Sequence, residues 1–304
     1  MKNTIIASLL IIAIGVGAYV IIKKPFGTKV APVSTTTDTT AQATTTESAN
    51  VTAPVIDTTQ TVIGKSVNGN DITAYYFGEG ADEILFVGGI HGGYEWNTAL
   101  VAYQLMDYLK ANPSSIPKNL KVTVIPVLNP DGLTKVTGTP GRFAVADVSK
   151  SEDVVVSGRF NANNVDLNRN FDCDWKTTGV WQNKKVNGGT EVFSEPESQA
   201  IKNYVETKKP ISAVVWYSAL GGVFASNCHG GVSAETKALT KTFSVASGYS
   251  AYQSFDFYAT TGDMVNWFAK KEIPAISVLL TNHTDTEWSK NQAGILALFK
   301  YYTR

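Results

Sequence analysis

The sequence predicts an α/β domain, a mixed, mostly parallel sheet with helices on both faces, preceded by one membrane-anchor helix and a disordered stalk. Three observations predict it. From about Thr61 onward, short apolar runs alternate with longer stretches whose apolar residues recur at helical spacing, the pattern of a parallel sheet covered by helices. Hydrophobic residues make up 43% and charged residues 17% of the chain, which suits a buried core and excludes a wholly disordered protein. Before residue 61 the composition changes twice, and neither segment suits a globular fold.

The first of these segments is apolar. Lys2 precedes a run from Ile5 to Ile22 that Lys23 and Lys24 close. At roughly 1.5 Å per residue the run reaches about 27 Å, enough to cross a hydrocarbon core. A cleaved signal peptide has a shorter apolar core, about 7–15 residues, ending in a small-x-small site. Tyr19-Val20-Ile21-Ile22 offers no such site, so residues 1–24 are expected to be an uncleaved anchor, with a cleaved leader as the alternative. Lysines on both flanks leave its orientation open. Residues 25–60 carry Thr35-Thr36-Thr37, Thr39-Thr40 and Thr44-Thr45-Thr46 among Ala, Ser and Pro, with too few large apolar side chains to offset chain entropy. An anchor followed by a solvated linker predicts a membrane-anchored, extracytoplasmic domain over residues 61–304; cleavage of the leader would make it secreted. Cys173 and Cys228 fit an oxidising compartment if they pair, and the sequence leaves pairing open. Lys+Arg and Asp+Glu balance at 26 each, and no basic face or stacking motif points to nucleic acid.

Within the domain, Glu83-Ile84-Leu85-Phe86-Val87 ends in Gly88-Gly89 and reads as a buried strand. Residues 94–111 place Leu100, Tyr103, Leu105 and Leu109 at helical spacing. Residues 122–127 read as the next strand and Asn129-Pro130-Asp131-Gly132 as a turn. Residues 137–190 form a long polar, Gly/Asn-rich loop, a length often tied to function. Ser194-Glu195-Pro196-Glu197 carries a helix start with Ser194 as cap. A strand over 211–216, helices over 234–245 and 261–271, a strand over 275–280 and a helix over 291–302 complete the alternation.

The loop Gly88-Gly89-Ile90-His91-Gly92-Gly93-Tyr94-Glu95 sets an imidazole and a carboxylate just past a strand's carboxyl end, where open α/β sheets hold ligands. Both are ordinary zinc ligands, but such a pair is also a common structural contact. Four further motifs follow in order: Asn129-Pro130-Asp131-Gly132, Val165-Asp166-Leu167-Asn168-Arg169-Asn170-Phe171, Ser194-Glu195-Pro196-Glu197 and Tyr258…Gly262…Trp267. Together these resemble carboxypeptidase A-like zinc metallocarboxypeptidases, over about residues 61–304. Asp-x-Asn-Arg-Asn-aromatic is the most specific element.

The resemblance implies roles. His91 and Glu95 match the first two zinc ligands, with one residue more between them than the family's usual His-x-x-Glu. Asn168 and Arg169 match the pair that grips a substrate's terminal carboxylate, a task that suits a guanidinium fork. Arg159 matches the arginine that polarises the scissile carbonyl, Tyr258 the mobile tyrosine over the bound residue, and Val265 a position lining the specificity pocket. An apolar terminal side chain is then expected, although nearby Asp263 leaves this open.

Two indispensable positions depart from the family. In Val215-Trp216-Tyr217-Ser218 the third zinc ligand, a histidine, is replaced by Tyr217. In Ile276-Ser277-Val278-Leu279-Leu280 the general base, a glutamate, is replaced by Leu279. A phenol with a pKa near 10 is a poor neutral-pH ligand, and losing a general base costs about 10²–10⁴-fold in rate. Zinc is thus implied by resemblance but poorly provided for. The expectation is a domain that recognises peptide C-termini with hydrolysis lost or strongly impaired; the alternative is an active metallocarboxypeptidase with rewired ligands, acting on peptides or cell-wall peptides. Of the other histidines, His229 follows Cys228, and His283 opens a His283-Thr284-Asp285-Thr286-Glu287-Trp288 run. That run resembles a segment some bacterial family members carry beside an intact glutamate, which implies scaffold or substrate rim.

Overall fold

The computed structural model describes residues 59–303; the expected anchor and most of the expected linker lie outside the described residues. No helix among the described residues is long and apolar enough to cross a membrane. The strands are β1 (Gln60–Lys65), β2 (Asp71–Phe77), β3 (Asp82–Val87), β4 (Leu120–Ile125), β5 (Thr178–Trp181), β6 (Lys184–Asn187), β7 (Ser212–Ser218), β8 (Gly222–Ala225), β9 (Ser250–Tyr252) and β10 (Ala275–Leu280). The helices are α1 (Trp96–Ala111), α2 (Pro130–Thr137), α3 (Glu152–Ser157), α4 (Pro196–Lys208), α5 (Ala234–Ser247), α6 (Met264–Lys270) and α7 (Trp288–Tyr301).

Eight strands form one sheet in the order β1-β2-β4-β3-β7-β10-β8-β9, and β5 with β6 forms a separate hairpin. The centre is parallel, β4 to β3 to β7 to β10, while β1, β2 and β8 join antiparallel. The expected mixed, mostly parallel sheet is therefore present, with the antiparallel pairs toward its margins.

Alternation along the strands divides the core. Ile84 and Phe86 of β3, Val214 and Trp216 of β7, and Ile276, Val278 and Leu280 of β10 face α1, α5 and α7. Leu85 and Val87, Ala213, Val215 and Tyr217, and Ala275 and Leu279 face the other way, onto α4 and α6. Both faces are covered, as the near-continuous apolar strands require. The same period of two puts Tyr217 and Leu279 on one face, and they are register partners across β7 and β10.

Several boundaries differ from expectation. β4 stops at Ile125 rather than Val127 because Pro126 cannot donate to the ladder. Asn129-Pro130-Asp131-Gly132 is not an isolated turn but the start of α2: the Asn129 side chain accepts from Gly132 N, Pro130 occupies the first turn, and Gly138 ends the helix in the left-handed region. Turn and helix-start chemistry use the same residues, so the two readings coincide in sequence. The N-cap of α4 is Glu195, not Ser194; Ser194 Oγ instead donates to Glu195 Oε1 at 2.8 Å. The 261–271 helix begins only at Met264, after Gly262 at φ +67° and with Asp263 capping Asn266 N. The closing helix starts earlier than expected, at Trp288. The 137–190 loop contains α3 and the β5–β6 hairpin, elements too short or polar to show periodicity. Cys173 and Cys228 are joined in a disulfide with Cα atoms 6.1 Å apart.

Candidate functional site

The parallel strands β3, β7 and β10 end on one cavity of about 740 Å³, within the range of about 300–1,000 Å³ usual for ligand pockets. All nine residues singled out by sequence line it: His91, Glu95, Arg159, Asn168, Arg169, Tyr217, Tyr258, Val265 and Leu279. The fold thus assembles the predicted set in one place. What each residue does there departs in part from what the resemblance implies.

One end of the cavity is built on the 3₁₀ turn Leu167–Arg169. Asp166 caps this turn through Asn168 N at 3.1 Å. The Arg169 guanidinium is almost fully buried. Its Nε and Nη2 donate to Val180 O at 3.0 and 2.6 Å, and Nη1 donates to Asn168 O at 2.6 Å. Of the five N–H groups a guanidinium carries, one on Nη1 and one on Nη2 remain without a hydrogen bond, and no carboxylate among the described residues pairs with this charge. Two glycines make the space: a Cβ at Gly179 would meet Arg169 Cδ at 2.7 Å, and one at Gly262 would meet Arg169 O at 2.3 Å. Tyr258 lies over the guanidinium, its ring centroid 5.9 Å from Cζ. Asn168 is largely committed inside the protein: its Oδ1 accepts from Tyr217 Oη at 3.2 Å and Met264 N at 3.0 Å, and its Nδ2 donates to Asp263 Oδ2 at 2.8 Å. Only its second amide hydrogen is left for a ligand. Val265 is buried at the cavity wall beside Asp263, whose carboxyl burial pushes up.

The other end gathers buried charge. His91 Nδ1 lies 2.9 Å from Glu95 Oε1 and Nε2 lies 3.4 Å from Asp166 Oδ1. Neither approach is aligned as a hydrogen bond, and both ring nitrogens and Glu95 Oε2 are buried without a hydrogen-bond partner. Arg159 is not free to polarise a carbonyl: Nε and Nη2 both reach Asp166 Oδ2 at 2.9 Å, and Nη1 lies 3.7 Å from Glu95 Oε1. Its flat face rests on Trp181, 4.4 Å from the ring centroid. Burial alone would raise the Asp166 carboxyl, but Arg159, His91 and Arg169 together hold it well below the ordinary carboxylate range.

Between the two ends stand the substituted positions. Leu279 contributes an aliphatic wall. The Tyr217 ring centroid is 5.7 Å from that of His91, and its hydroxyl points away to Asn168. Burial first, then the charges of Asp263 and Glu95, push the Tyr217 phenol well above 10, so it is protonated at neutral pH.

A family model described as zinc carboxypeptidase matches residues 52–286. The chain belongs to the zinc carboxypeptidase family. Among curated relatives, the human carboxypeptidase N catalytic chain is 26% identical over 60% of this chain, and bovine carboxypeptidase O is 37% identical over 30% of it. The matches span 39% and 23% of those proteins' own lengths. Among solved structures, Escherichia coli O157 murein-tripeptide amidase MpaA aligns at TM-score 0.56 and 19% identity, covering 81% of this chain and 93% of that one. Bovine thrombin-activatable fibrinolysis inhibitor aligns at TM-score 0.63 and 16% identity, covering 80% and 89%. At those identities the structural matches speak for the carboxypeptidase fold alone.

Zinc belongs to this family, yet the donors present do not fit a catalytic zinc. Such a site uses three protein ligands plus water. The partnerless His91 and Glu95 atoms supply two donors. The third position holds a protonated phenol turned to Asn168, and among the described residues no three His, Cys, Asp or Glu side chains converge on one point. Two further groups with ligand or base chemistry, His229 and Glu287, lie off the cavity. His229 is exposed and 2.8 Å from Asp174 Oδ1. Glu287 is tied to Thr281 N and Tyr249 Oη, each at 2.7 Å, and to Lys290; against the effect of burial these partners bring its carboxyl down to about 2.

Sequence reasoning missed three participants, Asp166, Tyr94 and Trp181. Asp166 gives Arg159 its partner; an acid two residues before Asn168 in one tight turn was the available signal. Tyr94 and Trp181 form an aromatic wall, their rings meeting edge to face at 5.0 Å. His283, read as scaffold or rim, lines the cavity. Its partners Ser218 and Asn97 lie far away in sequence, so no local signal marked its hydrogen bonds.

Proposed function

We propose that this domain binds peptide C-termini through the terminal carboxylate and that hydrolysis by the family route is lost. One observation carries the reading: Arg169 is a buried, permanently charged guanidinium with two free N–H groups and no carboxylate partner, at the wall of a cavity of ligand size. A buried charge whose N–H groups are not all bonded is costly, and a ligand carboxylate on those two N–H groups lowers that cost with a fork geometry that suits it. Asn168 contributes its one remaining amide hydrogen, Tyr258 covers the bound group, and Val265 faces its side chain.

Loss of hydrolysis follows from the middle of the cleft. Tyr217 withholds a donor from any ion, Leu279 has no atom that takes a proton from water, and Arg159 is neutralised by Asp166. The Cys173–Cys228 disulfide supports an oxidising, extracytoplasmic setting, with residues 1–24 as membrane tether and peptides or cell-wall peptides as partners.

Isothermal titration of the purified residue 59–304 domain tests the binding claim. Peptides with a free C-terminus should bind, and the same peptides C-terminally amidated should not. Equal affinity for the two forms would remove the carboxylate reading. Release of C-terminal amino acids by the domain, sensitive to a chelator, would remove the claim that hydrolysis is lost.

A further inference from the structure

The side of the cleft away from Arg169 holds a histidine whose hydrogen-bonding role is fixed by its surroundings. Asn97 Nδ2 donates both hydrogens to backbone carbonyls, Asn282 O at 2.8 Å and Asp285 O at 2.9 Å, so the amide is oriented and Oδ1 is an acceptor. Ser218 Oγ lies 3.0 Å from Asn97 Oδ1 and has one hydrogen, which it donates there. The same oxygen is 3.1 Å from His283 Nδ1 and accepts from it. Nδ1 therefore carries the ring proton. Burial lowers the tendency of His283 to take a second proton, leaving Nε2 with a lone pair.

That lone pair has no hydrogen-bond partner among the described residues, and the ring lines the cavity. The ionisable groups facing His283 are Glu95, His91 and Arg159, which places it at the end opposite the carboxylate-holding turn. The Tyr94 ring packs on it at 4.7 Å between centroids and continues into Trp181. A flat aromatic wall with one fixed acceptor suits an extended peptide strand, which presents an N–H donor from its backbone and a side chain to the rings.

We infer that His283 Nε2 accepts a hydrogen bond from the backbone N–H of the residue preceding the ligand's C-terminal residue, so that the domain selects peptides over free amino acids. This rests on the C-terminus reading above and names a second contact for the same ligand. Asn97 and Ser218 are positioning residues, acting through the ring.

Two measurements test it. Nitrogen-15 spectra of the ligand-free domain should show His283 protonated at Nδ1 and bare at Nε2, and Ser218→Ala should shift that balance; an Nε2–H form in the wild type, or a spectrum unmoved by Ser218→Ala, overturns the inference. The second compares an N-acyl dipeptide acid with the analogue whose acyl amide is an ester, which removes the one N–H. The ester should bind about fivefold more weakly to the wild type and equally well to His283→Ala. An ester penalty that is absent from the wild type, or that persists in His283→Ala, overturns the inference while leaving carboxylate binding intact. Failure of the parent reading has a different signature, loss of the preference for acid over amidated peptide.

Discussion

The two ends of the cleft are both buried and both charged, but they are completed differently. At the Arg159 end the guanidinium already has carboxylates beside it, Asp166 and Glu95, and the His91 ring lies between the same two acids. At the Arg169 end a cation is held by backbone carbonyls, with no carboxylate among the described residues bonded to it. In the first arrangement the guanidinium already has its carboxylates, although both His91 ring nitrogens and Glu95 Oε2 stay without a hydrogen bond. The second is unfinished until something negative arrives. This is the form that the proposed function requires: the polarising arginine is occupied while the binding guanidinium keeps two N–H groups available.

The comparison is broken or sharpened by substitution. The largest change is expected from Tyr217→His with Leu279→Glu, which restores the family's third ligand and base: the domain should then hold one zinc per chain by metal analysis, whereas the wild type should hold none stoichiometrically. Stoichiometric zinc in the wild type breaks the comparison. Next, Asp166→Ala strands Arg159 in a buried site and should cost about 3–5 kcal/mol in urea unfolding. The same carboxyl predicts acid sensitivity. Its folded pKa is depressed, so its stabilisation is present above the unfolded value of about 4 and is lost as pH falls below it; Asp166→Ala should flatten that limb. Arg169→Ala should weaken free-acid peptides by about 2–5 kcal/mol, roughly 30-fold or more in Kd, and leave amidated peptides unchanged. Arg169→Lys should not restore the preference, since a point charge lacks the fork. The smallest effect belongs to Tyr217→Phe. Asn168 Oδ1 keeps its bond from Met264 N, so the loss should be about 0.5–1.5 kcal/mol of stability. With its folded pKa raised, that phenol adds stability that holds below about pH 10 and disappears at higher pH. The difference in ultraviolet absorbance between wild type and Tyr217→Phe should show no phenolate until the alkaline transition.

The central strands and most of the cleft were legible in the sequence, because β3, β7 and β10 are buried on both faces and read as continuous apolar runs, and because the His91/Glu95 and Asn168/Arg169 motifs are short and local. β1, β2, β8 and β9 were not. They lie at the margins of the sheet, where half-exposed or very short strands carry a weak pattern. The chemistry of the cleft was legible only for residues whose partners are close in the chain. His283 is fixed by Ser218 and Asn97, far away in sequence, and Arg159 by a buried carboxylate whose orientation only the folded turn supplies.

The Cys173–Cys228 bridge and the buried Asp166 carboxyl give the molecule two independent handles. Cys173 follows the Arg169 turn by four residues, and the bond closes a separation of 55, worth about 4 kcal/mol against the unfolded chain. A thiol reagent therefore acts on the half where the proposed ligand binds, and acid acts on the half that depends on the Asp166 carboxylate. An instrument-maker would say the gripping jaw is bolted and the opposing jaw is magnetised, so each is released by a separate tool.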